Sequence, residues 1–139
     1  MSMDPLFIRI IYAANILVAG GFGLITLFFP DMARRFTFGG AWRPHPAMQL
    51  VGCFWLAIAV LSAVALFSPW VFSPLLLIQL LYKSFWILFW AIPVLTTGDK
   101  SRIPIGMLLF FLIWVGILAI GIPWRYVFRT FIHGAEAGL

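Results

Sequence analysis

Apolar residues run through this chain in blocks too long for a water-soluble fold. Four stretches stand out, 6–29, 47–67, 74–95 and 104–122, each close to the about 20 residues that a helix needs to cross bilayer hydrocarbon. None alternates polar with apolar positions as a membrane barrel strand does, so each predicts a helix. Prolines mark the breaks: Pro30 and Pro46, Pro69 and Pro74, Pro93 and Pro104, where helix ends are expected. The connection 68–73 is so short that the second and third helices are expected as an antiparallel hairpin. After the fourth block, 123–132 mixes aromatics with Arg125 and Arg129, the pattern of a short helix lying in the headgroup layer. The predicted architecture is all-α: one polytopic membrane domain, 1–139, built as a four-helix transmembrane bundle with a short interfacial C-terminal helix. The first block ends at Phe28-Phe29-Pro30 without a small-residue cleavage motif, so it reads as a retained span and not a secretory signal.

Composition strengthens this picture. Hydrophobic residues make up 64% and charged residues 9% of the 139, against roughly a quarter charged in an ordinary soluble domain. The spans leave no room for a soluble catalytic domain. Cys53 is the single cysteine, which excludes an internal disulfide or a two-cysteine redox shuttle. Within the second span it reads as a small buried apolar residue. The net charge of +5 points to anionic headgroups and topology signals, not to nucleic acid, because no continuous basic face is offered. Arg34, Arg35, Arg43, Lys100 and Arg102 fall on the side of the first and third loops, against Arg9, Arg125 and Arg129 on the other. That imbalance places both termini on the non-cytoplasmic side. The first loop, with Phe36, Phe38 and Trp42, is expected to lie along the headgroup layer.

One residue breaks the apolar pattern decisively. Lys83 lies about nine positions into the third span, a backbone depth of roughly 13 Å, near the midplane, where ionisable residues are costly and face a bundle interior or a hydrated cavity. Gln79, Lys83, Trp86 and Trp90 share one helical stripe, flanked by Tyr82 and Ser84. Tyr12 and Asn15 share a face of the first helix, and Asn15 is expected at the depth of Lys83, as is Trp114 on the fourth. These eight residues, Lys83, Gln79, Tyr82, Trp86, Trp90, Asn15, Tyr12 and Trp114, are the candidate ligand-binding set. Asp4, Asp31, Asp99 and Glu136 all fall near span ends, so Lys83 has no intramembrane counter-ion. Three states are open to it: a neutral amine, a cation held by aromatic faces and carbonyls, or a cation awaiting an anionic ligand. Two bland alternatives stay open: snorkelling, with about 6 Å of side-chain reach against that depth, and pairing with a second subunit or another protein. His45 and His133 lie outside the spans, so no midmembrane histidine is present to hold a haem or chlorophyll, and His45 reads as a loop residue. An interfacial grouping of Gln49, Cys53 and His45 is the one further arrangement worth testing. Gly20, Gly21 and Gly23, with Ala13, Ala14 and Ala19, make a smooth surface for close helix approach.

The run Gly23-Leu24-Ile25-Thr26-Leu27-Phe28-Phe29-Pro30, followed by a basic loop, a small-residue-rich second span and a proline-bounded turn, resembles the small four-helix bacterial membrane proteins called DoxX-like. The resemblance is architectural. It implies a bacterial inner-membrane location, and no functional residue is carried over from it.

These features favour a binding or accessory protein that holds a lipid-like or quinone-like molecule at Lys83, or docks into a larger membrane complex, over an enzyme. Its partners would be the bilayer, an apolar or amphipathic small molecule, and further copies of itself or other subunits. No metal site, catalytic set or particular cofactor is indicated. Two alternatives stand: a small oligomeric transporter or channel for an anion or proton, and a membrane enzyme acting on a lipid or isoprenoid. The second lacks the carboxylates and activated nucleophiles that such chemistry uses.

Overall fold

In the computed structural model, which describes residues 5–134, every regular element among those residues is helical. Proline sets most of the starts, because its missing N–H falls where a helix has no partner for one. The elements are α1 (Pro5–Phe28), α2 (Pro30–Phe36), α3 (Pro46–Ala65), α4 (Ser73–Trp86), α5 (Ile92–Thr96), α6 (Ile105–Gly121) and α7 (Trp124–Val127). His45 caps α3, its Nδ1 accepting from the Ala47 amide at 3.1 Å, which gives the loop histidine a local structural role.

The third block is not one uninterrupted α-helix, as expected, but α4 and α5 joined through a π-helical turn, Ile87–Ala91. Pro93 explains the turn. Its ring crowds the carbonyl four residues back, and the wider turn, closed by the Ile92 amide on the Ile87 carbonyl, relieves that clash. The helix therefore continues through Pro93 to Thr96. A second π turn, Phe128–Ile132, extends α7.

Among the described residues, three helices are long and apolar enough to cross a membrane: Pro5–Phe28, Pro46–Ala65 and Ser73–Thr96. With 17 residues, α6 is only about 26 Å long; it qualifies together with Trp124–Ile132, from which it is bent by 66°.

Packing departs from the expected hairpin. Despite the short connection between them, α3 and α4 meet little; α1 lies closest to α3, and α4 to α6. The cause lies in the glycines. A Cβ on Gly23 would lie 3.0 Å from the Gly52 carbonyl and 2.9 Å from Leu56 Cγ, and one on Gly52 would lie 3.0 Å from the Leu27 amide. The two backbones thus touch, in the manner of small-residue helix contacts in membranes. Gly20 faces Ala59 on the same seam, while Gly21 points into open space, so the smooth surface is narrower than the sequence suggests. Gln49 Nε2 donates to the Leu27 carbonyl across the seam at 3.3 Å.

The first loop packs into the helices. Phe36 is exposed, but Phe38 is fully buried, stacked on Trp42 at 4.8 Å and on Trp55 at 6.2 Å. Trp42 Nε1 donates to the Arg102 carbonyl at 3.1 Å, tying the first loop to the third. At the opposite end Tyr12 Oη donates to the Pro69 carbonyl at 3.0 Å, and Tyr126 packs edge-on against Trp70 at 5.7 Å. The α7 segment is thereby folded back onto the α3–α4 connection. Cys53 is exposed, not buried; with Gln49 committed to Leu27 and His45 to its cap, these three residues form no joint site.

Replacing Gly52 with leucine is expected to separate α1 from α3 and to destabilise the protein by about 2 kcal/mol or more, read as a fall in the thermal midpoint in detergent. Gly21→Leu, with nothing within 4 Å of its Cβ, should leave the midpoint unchanged; equal losses in the two variants would refute the backbone seam.

Candidate functional site

The arrangement of tight pairs leaves a cavity between them. It has a volume of about 270 Å³, near the lower end of the roughly 300–1,000 Å³ typical of small-molecule sites. From α1 it is lined by Asn15, Val18, Ala19 and Phe22; from the end of α2, by Phe36 and Thr37; and from α3, by Trp55. Gln79, Tyr82 and Lys83 of α4 form the opposite wall, with Gly106, Met107, Phe110, Phe111 and Trp114 of α6 beside them.

Its polar end is built from one turn of α4. Gln79 and Lys83 are four residues apart, hence on one helical face, and Lys83 Nζ donates to Gln79 Oε1 at 3.3 Å. The same oxygen accepts from Trp114 Nε1 at 3.3 Å. Because both partners are donors, the Gln79 orientation is fixed: its Nε2 points away, and that nitrogen is buried without a partner. Lys83 Nζ also donates to Tyr82 Oη at 2.6 Å. It lies 4.2 Å from the centroid of the Tyr82 ring and 5.3 Å from that of Phe111, placing the amine where aromatic quadrupoles attract a cation. Asn15 Nδ2 is a further buried donor without a partner, as is the Thr37 hydroxyl. No acidic side chain lines the cavity among the described residues; Asp4 and Glu136 lie outside them.

Five of the eight sequence candidates therefore meet around one space: Asn15, Gln79, Tyr82, Lys83 and Trp114. The other three do not line it. Tyr12 is used at the Pro69 turn. Trp86 and Trp90 stack on each other at 5.1 Å and form a layer behind the wall, Trp86 packing edge-on against Phe111 at 5.4 Å and Trp90 against Trp42 at 5.6 Å. Through Phe38, Trp42, Trp86 and Phe111 the rings form a connected shell from Trp55 to Tyr82, holding three lining residues in place. Sequence reasoning missed Thr37, Gly106, Met107 and the two phenylalanines of α6. Thr37 follows α2; the others lie on α6, which is apolar all round, so no periodicity separates its inward face, and the position of Trp114 is the one available signal.

Lys83 is 3% exposed, Gln79 1% and Asn15 2%, so donors at this end have no access to water except through the cavity. Unsatisfied buried donors cost about 1–3 kcal/mol each, and a bound acceptor would recover that loss. No protein-family model matches this chain, nor does any curated protein or solved structure.

Gln79→Leu is expected to strand the Lys83 amine and the Trp114 N–H together. Denaturation in detergent should show a loss of about 1–3 kcal/mol, partly shared with Trp114→Phe in a double-mutant cycle. Strict additivity of the two changes would mean that the shared oxygen is not a structural link.

Proposed function

We propose that this chain is an integral membrane binding protein, crossing the bilayer four times, that holds an amphipathic small molecule, lipid-like or quinone-like, with its hydrogen-bond-accepting head against Lys83. The observation that carries this reading is the cluster of buried donors, two of them amides without partners, on residues lining an otherwise apolar cavity. Lys83 and the Gln79 and Asn15 amides offer N–H groups there, and aromatic and aliphatic side chains supply the remaining wall. Apolar lining with a few convergent polar groups is the usual form of a small-molecule site. The fourth crossing in this reading is α6, which reaches the far interface through its bent continuation. Binding, not turnover, is the better account, because the cavity gathers donors without a paired acid and base.

Native mass spectrometry of protein extracted gently from its own membranes tests this. Wild type is expected to carry a non-protein mass, and Lys83→Met to lose it by roughly tenfold in occupancy, the equivalent of about 1.4 kcal/mol. The methionine variant keeps the volume and suits an apolar helix. Equal occupancy in both proteins, or none in wild type, would remove the basis of the proposal.

A further inference from the structure

The cavity is graded from end to end, and the gradient identifies both the ligand class and its route of entry. At the closed end Lys83, Gln79 and Asn15 are almost fully buried, whereas at the other end Phe22 is 38% and Phe36 76% exposed, and Gly106 is exposed as well. The exposed lining comes from α1, the end of α2 and the start of α6. Where α6 ends, Gly121 receives the side chains of Ile11 and Phe7, but a Cβ on Gly106 would meet nothing within 4 Å. The exposed side of the cavity is therefore apolar, with open space at Gly106.

Resting on the binding reading above, we infer that the ligand is a single-chain lipid carboxylate, taken from the bilayer through the exposed side of the cavity, with its head on Lys83 and its chain leaving past Phe22 and Gly106. The partnerless groups on cavity-lining residues are the Gln79 and Asn15 amide N–H donors and the Thr37 hydroxyl, and Gln79 Oε1, the acceptor beside Lys83, is occupied twice. Lys83 has three N–H bonds as an ammonium, and two are directed at Gln79 and Tyr82. The third is left for an incoming oxygen. A carboxylate fills these donors and supplies the missing counter-charge, forming the shorter and stronger charge-assisted bonds; a neutral carbonyl leaves the charge uncompensated.

The test uses quenching of the lining tryptophans, Trp55 and Trp114, by 11-bromoundecanoate and by 11-bromoundecanol, which share a chain and differ in the head. The acid is expected to quench saturably and to bind at least about tenfold more tightly than the alcohol, and Lys83→Met should abolish that preference while Lys83→Arg keeps it. Gly106→Leu, at a position where an added Cβ meets nothing within 4 Å, should slow the stopped-flow quenching by about tenfold or more. Equal binding of acid and alcohol, if sensitive to Lys83, overturns the carboxylate assignment but leaves the binding reading in place. Binding indifferent to Lys83 overturns both, and unchanged entry in Gly106→Leu overturns the portal.

Discussion

An amine that emerges in the middle of a 24-residue apolar helix and is only 3% exposed has to find its partners inside the protein, because a buried charge or donor left unpaired is costly. Lys83 finds two, Gln79 one turn earlier on the same helix and Tyr82 beside it, and rests against two aromatic faces. The rest of the polar centre follows from that. Gln79 turns its oxygen toward Lys83, Trp114 of α6 joins at the same oxygen, and the Gln79 amide nitrogen is left buried without a partner. An arrangement that satisfies the lysine thus creates new donors in need of an acceptor. Such a network is costly when incomplete, and this incompleteness is why binding is a better explanation of the site than packing.

Room for the site comes from elsewhere in the chain. Gly23 and Gly52 draw α1 and α3 into backbone contact, and α4 pairs with α6. Two tight pairs facing each other leave a cavity between them, with its exposed lining at Phe22, Phe36 and Gly106. The first loop then closes one end with Phe38 and Trp42, while Tyr12, Trp70 and Tyr126 fasten the other. The polar centre and the glycine seam are therefore separate parts of one design: the seam shapes the cavity, and α4 supplies its chemistry.

Much of this was legible before any coordinates. Block length and proline spacing located the helices to within a few residues, because in an apolar solvent nearly every backbone group has to bond within its own helix. Lys83, Gln79, Asn15 and Trp114 were identifiable because a polar group in such a block is conspicuous, and helical periodicity supplied their common depth. What the sequence hid was relational. Connection length suggested an α3–α4 hairpin, whereas glycine contact decided the pairing. The stripe through Trp86 and Trp90 is continuous on a helical wheel, but the two rings stack with Trp42 from the first loop, a partner that periodicity within one helix does not reveal. The inward face of α6 carries no signal because all its faces are apolar. Cys53 looked internal for the same reason: in this chain an apolar neighbourhood marks the outside as readily as the core.

The most direct measurement is a crystal structure of the protein taken from its native membrane and crystallised from a lipidic phase without added ligand. The account predicts continuous non-protein density that begins within hydrogen-bond distance of Lys83 Nζ and extends toward Phe22 and Gly106. A cavity that is empty or holds only water, or a Lys83 side chain turned out of it, would contradict the account.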